Sequence, residues 1–183
     1  IIMLRNPVDR PFSAWKMDIA RKIISMSFEE LVKMEMDNLR SFGLLANLTR
    51  QERRERLLQL VIEQDSYETQ QLESGILSRG LYAQQVEPWI EAFGVDAVQI
   101  LRYEDFLRNK VAILNEILSF VGAPGLLRDE LDDLSILEQD FSQATIEVTL
   151  SESTREYLAT FYKPFNDELV EILGAEWRGV WDG

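Results

Sequence analysis

Four apolar residues in succession, Ile1, Ile2, Met3 and Leu4, stand at the head of the chain with no alternation. That pattern suits a strand covered on both faces in a parallel sheet better than one with a wet face. Arg5 and Asn6 end the run, and Asn6-Pro7 reads as a helix start, because Asn can cap free amides and Pro gives up an N–H that the first helical position does not need. The periodicity predicts a helix from Asn6 to about Lys22, with Phe12, Trp15, Ile19 and Ile23 along one side. Ser27 and Glu30 form a capping box, with Met26 and Leu31 placed for a hydrophobic staple, so a second helix should run to about Arg40.

A third helix should begin near Thr49, again through a capping box with Glu52, and bury Leu57, Leu58, Val61 and Ile62. Its Arg50, Arg53, Arg54 and Arg56 have two readings: a basic stripe facing an anionic acceptor, or a solvated face with local ion pairs to residues such as Glu52 and Glu55. After a polar stretch from Asp65 to Ser78, Gly80 opens a helix through Tyr82, Val86, Trp89, Ile90 and Phe93 to Gly94, which Pro88 should kink or restart. Val98 to Leu101 reads as a second strand, ending at Arg102-Tyr103-Glu104-Asp105. Asn109 to Val121 is an amphipathic helix stopped by Gly122 and Pro124. From Ser151, Leu158, Phe161, Phe165, Leu169 and Ile172 recur at helical spacing, with Pro164 marking a kink or a second start, and Trp177 and Trp181 should fold back on the core.

Composition narrows the chemistry. The 183 residues are one domain's worth of chain, and 46% hydrophobic content can furnish a core. A net charge of −13, from 32 acidic against 19 basic residues, disfavours a nucleic-acid or anionic-membrane surface, so any anion must be held locally. There is no Cys and no His, which removes disulfides, thiol nucleophiles, imidazole bases and His-ligated zinc from this segment. Two strands cannot make a parallel sheet faced by this many helices, so further strands are expected from an N-terminal segment of the same domain outside these 183 residues. The edge to which a strand would deliver Arg5 is where open α/β sheets bind ligands, and helix amides beside a guanidinium suit a phosphate.

Leu-Arg-Asn-Pro-Val-Asp-Arg-Pro-Phe-Ser-Ala-Trp, Leu4 to Trp15, resembles the 3′-phosphate-binding segment of sulfotransferases that use 3′-phosphoadenosine 5′-phosphosulfate (PAPS), in the carbohydrate or heparan-sulfate-like branch. Two later stretches are similar to the same family. They are Gly80-Leu81-Tyr82 with Trp89, Phe93 and Ile100-Leu101-Arg102-Tyr103-Glu104-Asp105, and the tail from Thr154-Arg155 through Phe161-Tyr162-Lys163-Pro164-Phe165-Asn166 to Leu173-Gly174 and Trp177. Pro11 departs from the Ala usual at its place.

The resemblance implies an α/β fold, a P-loop-like three-layer parallel sheet with helices on both faces, of which residues 1–183 are an N-terminally incomplete single domain, mostly helical with about two strands. It implies that Arg5 and Ser13 hold the 3′-phosphate of PAPS, and that a sulfuryl group passes to a hydroxyl or amine, on a carbohydrate, with no metal. The Lys- and Gly-containing loop that cradles the 5′-phosphosulfate, and the usual base after it, belong to the earlier segment; the glycines at Gly75, Gly80 and Gly122 to Gly125 lack a Gly-Lys-Ser/Thr pattern. No catalytic residue is assigned here, and Glu104 and Asp105 are read as tying a loop to the sheet rather than as bases. Tyr82 either lines the cleft or is a core tyrosine.

The branch commonly carries a basic glycine loop where this chain has Asp129-Glu130-Leu131-Asp132-Asp133 and Phe141, with no Lys or Arg between Arg128 and Arg155. That gap is the best support for an alternative, a sulfotransferase fold kept as a binding or scaffold module without transfer activity. Eukaryotic members of the branch typically work in the Golgi lumen behind an N-terminal anchor and bacterial ones in the cytoplasm, and the closing residues 176–182 lean toward the former.

Overall fold

The computed structural model describes residues 1–64, 75–126 and 147–181, the side chains of residues 60–64 excepted. Their elements run β1 (Ile2–Leu4), α1 (Asp9–Ala20), α2 (Phe28–Ser41), α3 (Arg50–Gln64), α4 (Tyr82–Phe93), β2 (Ile100–Arg102), α5 (Tyr103–Arg108), α6 (Lys110–Phe120) and α7 (Glu152–Leu173), with short 3-10 turns at Ser78–Gly80, Val95–Ala97 and Ala175–Trp177. The expected acidic cluster, Phe141 and most of the Asp65 to Ser78 stretch lie outside the described residues. The chain divides into two compact units, one of residues 1–6 and 89–145 and the other of residues 7–88 and 146–183.

The first unit holds the sheet. β1 and β2 pair in parallel, Ile2 opposite Ile100 and Leu4 opposite Arg102, and the Ile2 N–H extends the ladder to the Gln99 carbonyl at 2.8 Å. A parallel pair of mainly helical surroundings is the expected fragment of an α/β fold. Leu4 is buried and Met3 is 40% exposed in a sheet of two strands among the described residues, the number expected of this part of the fold. Helix α6 is capped by Asn109, whose side chain accepts the Ala112 N–H at 3.1 Å, and it stops at Gly122 with φ +70.

The second unit holds the core, in which Trp15, Phe28, Leu31, Leu39, Leu77, Leu158, Tyr162 and Phe165 pack together. Helix α1 starts three residues later than expected. The Asn6 N–H is taken by a carboxylate, Pro7 and Val8 form a turn, and no side chain caps the helix. Pro11 falls in the first turn, where amides have no helical partner, so it does no harm. Ile23, expected on the buried side, lies beyond the helix end and is exposed. The Ser27–Glu30 capping box forms as expected and begins α2.

Of the kink or restart expected at each internal proline, the restart does not occur. Pro88 and Pro164 lie inside α4 and α7, and each helix runs through its proline. A missing helical bond costs about 3 kcal/mol. In α7 that loss is offset by the burial of Leu158, Tyr162, Phe165 and Leu169 on either side. Trp181 folds back as expected and packs 5.7 Å from the buried ring of Tyr82, which is a core tyrosine.

Candidate functional site

The parallel register brings the C-terminal ends of β1 and β2 to one sheet edge. Arg5 follows β1 there, and Tyr103 follows β2 as the first residue of α5. The Arg5 guanidinium lies over the Tyr103 ring, 4.9 Å from its centre, a cation–π contact. One residue further along both segments, the Asn6 N–H donates to Glu104 Oε1 at 2.7 Å. Asp105 accepts from Arg102 and, at 2.8 Å, from Arg108. Glu104 therefore ties the start of α5 to the end of β1, while Asp105 pairs with arginines of its own segment.

Ser13 lies in the second unit, in the second turn of α1, half-buried, and its hydroxyl has no hydrogen-bond partner among the described residues. The helix that carries it is held from three sides. Phe12, Trp15 and Phe28 form an aromatic cluster with ring centres 5.1 to 5.8 Å apart, and the Trp15 indole N–H donates to the Met26 carbonyl at 3.0 Å. Asp9 pairs with Arg155 of α7 at 3.0 Å, and Arg10 donates to the Ile76 carbonyl at 3.2 Å. Arg5 and Ser13 are eight residues apart in the chain, at the end of the strand and on the helix that it feeds.

The Arg5 guanidinium suits a phosphate monoester, to which such a fork makes paired charge-assisted hydrogen bonds. The Ser13 hydroxyl, in the second unit, can donate one hydrogen bond. Glu104 and Asp105 at the sheet edge are both hydrogen-bonded.

The arginines of α3 are ion-paired, as the second reading had it, but with distant carboxylates rather than Glu52 and Glu55, and Arg53 is buried rather than solvated. Arg50 pairs with Glu87 at 2.9 Å and with Glu171, and Arg53 pairs with Glu168 while its guanidinium covers the Phe165 ring at 5.0 Å. Arg54 reaches Glu87 at 3.9 Å, and Arg56 donates to the carbonyls of Phe42 and Gly43. Burial alone would lower the Arg50 pKa, but Glu87, Glu171 and Glu168 outweigh it and raise it. Leu58, placed on the buried side by sequence, is 61% exposed, and Arg53 takes the inward place instead.

Tyr162 is the structural residue that periodicity missed. Its ring is fully buried, its hydroxyl donates to the Leu77 carbonyl at 2.9 Å, and burial pushes its pKa well above the ordinary phenol value. The spacing Leu158, Tyr162, Phe165, Leu169 is as good a helical stripe as the one through Phe161, so the signal was present.

Comparison with known proteins bears on the family and the fold. A family model described as a sulfotransferase domain matches residues 1–159. The membrane-associated sulfotransferase kil1 of Dictyostelium discoideum is 22% identical over 104 residues, which cover 57% of this chain and 20% of that protein. The crystal structure of a sulfotransferase from Alicyclobacillus acidocaldarius superposes with a TM-score of 0.60 at 24% identity, over 97% of this chain and 56% of that one. The chain thus spans about a fifth of the curated relative and just over half of the solved structure.

Proposed function

Because this chain belongs to the sulfotransferase family, we propose that it supplies the 3′-phosphate-binding half of a donor site for PAPS and takes part in sulfuryl transfer to a hydroxyl or amine of a carbohydrate. Arg5 binds the 3′-phosphate through its fork, and Ser13 donates to the same group. The observation that supports this reading is that Arg5 directly follows a parallel strand, at the kind of sheet edge where open α/β sheets bind ligands, with its guanidinium over Tyr103 and its neighbour Asn6 fastened to Glu104. Transfer itself draws on a phosphosulfate loop and a base that the family carries upstream of these residues. In a eukaryotic source the setting is the Golgi lumen; no helix among the described residues is long and apolar enough to cross a membrane.

Calorimetric titration with adenosine 3′,5′-bisphosphate and with adenosine 5′-monophosphate tests the proposal. The bisphosphate should bind at least about tenfold more tightly, the worth of one hydrogen bond to a charged group. Equal affinities would remove the 3′-phosphate site. Tight bisphosphate binding without transfer from PAPS to any carbohydrate would favour the scaffold alternative, which the run from residue 129 to 154 without Lys or Arg supports.

A further inference from the structure

A cleft of about 340 Å³ opens between one face of α2 and the first turns of α7, both in the second unit. That size is within the range of small-molecule sites. Its floor is the buried pair Val32 and Met36, and one wall is the ring of Tyr157, 44% exposed. Along its rim Glu29, Lys33, Asp37 and Arg40 alternate in sign.

We propose that this cleft holds a neutral glycosyl unit of the acceptor. A pyranose ring has an apolar C–H face and a girdle of hydroxyls that both donate and accept. The lining matches both parts: an aromatic ring and apolar floor for the face, carboxylates to accept and cations to donate around the edge. The four rim charges sum to zero. Asp37 and Arg40 already pair at 2.7 Å, and a Glu29 oxygen lies 3.5 Å from the hydroxyls of Ser151 and Thr154, so no set of cations is gathered for a polyanion. The arginines of α3 that could have formed a polyanion track are committed to Glu87, Glu168 and Glu171. A chain of net charge −13 also repels an acidic glycan at long range.

The cleft adjoins the proposed donor helix. Arg155, next in sequence to the cleft residue Thr154, is paired with Asp9 in the first turn of α1, and Ser13 lies one turn further on. The role of the cleft in transfer rests on the proposed function above, but sugar binding is measurable without it.

The test is titration of the protein with a panel of neutral tetrasaccharides (glucan, galactan and N-acetylglucosamine oligomers) and with tetragalacturonate as the charged counterpart. The tightest neutral probe should bind at least about tenfold more tightly than tetragalacturonate, and Tyr157→Ala should weaken it by about tenfold. Tyr157→Phe, which keeps the ring, should stay within about twofold of wild type. Absence of neutral binding, tighter binding of tetragalacturonate, or neutral binding indifferent to Tyr157→Ala would each overturn the assignment. A parallel titration with adenosine 3′,5′-bisphosphate separates the two proposals, because the nucleotide can fail to bind while the sugar binds, and the reverse.

Discussion

The main-chain N–H of Asn6 donates to Glu104 Oε1 at 2.7 Å, which fastens the residue after Arg5 to the residue after the tyrosine on which Arg5 lies. Glu104 would thereby act on the proposed donor site at one remove. A hydrogen bond to a carboxylate contributes about 1.5 to 3 kcal/mol, only part of which reaches Arg5, so Glu104→Ala should weaken adenosine 3′,5′-bisphosphate binding by about three- to tenfold. In the full-length protein the pH profile of kcat/KM should keep its shape. Loss of the acid limb of that profile would instead make Glu104 a base.

Gly80 has a reason that lies 82 residues away. A Cβ at that position would stand 2.7 Å from the Tyr162 ring, closer than carbon atoms approach, and Tyr162 is fully buried and hydrogen-bonded to Leu77. Gly80→Ala should destabilise the fold by about 1 to 3 kcal/mol, as overpacked core sites do. Urea denaturation measures it, and an unchanged midpoint would show that the ring yields.

The ion pairs are not equivalent. Arg53 is 9% exposed, pairs with Glu168 and covers Phe165, whereas Arg40 and Asp37 are more than half exposed on one face of α2. Removing the partner of a largely buried charge is costly, while an exposed pair contributes about 0 to 1 kcal/mol. Glu168→Ala should therefore lower the denaturation midpoint clearly and Asp37→Ala hardly at all. Similar shifts would contradict the network read from α3.

Glu30 and Glu52 each receive the backbone N–H and the hydroxyl of a capping residue, Ser27 and Thr49, which lowers both pKa values below the ordinary 4.5. A depressed folded-state pKa contributes stability that is present above 4.5 and lost as pH falls through the lower folded value. The urea midpoint should fall on acidification below that point, and Ser27→Ala should flatten part of the fall. An identical acid limb in the variant would remove the capping box from the account.

Much of this architecture was legible in the chain because its determinants are local. Ser27 with Glu30 and Thr49 with Glu52 each span one helical turn, and Gly94 and Gly122 stop helices through their own positive φ. What escaped depends on partners distant in sequence. The arginines of α3 find Glu87, Glu168 and Glu171 between 33 and 121 residues away, so no periodicity could decide whether they face solvent. Pro88 and Pro164 marked a kink or a restart, and no restart occurs, since α4 and α7 each run on through the proline. An unbroken apolar run such as Ile1 to Leu4 predicts a strand, and β1 falls on it at Ile2–Leu4. For the candidate site, Arg5 and Ser13 came from a resemblance in order and spacing, while the Tyr103 and Glu104 contacts that brace Arg5 appeared only once β1 and β2 were paired.

The most direct test of a 3′-phosphate site at the end of β1 is calorimetric titration of adenosine 3′,5′-bisphosphate into the wild-type protein and Arg5→Ala. Losing a charge-assisted fork should weaken binding by about one to two orders of magnitude, with adenosine 5′-monophosphate affected far less. Equal bisphosphate affinities in the two proteins would contradict the account.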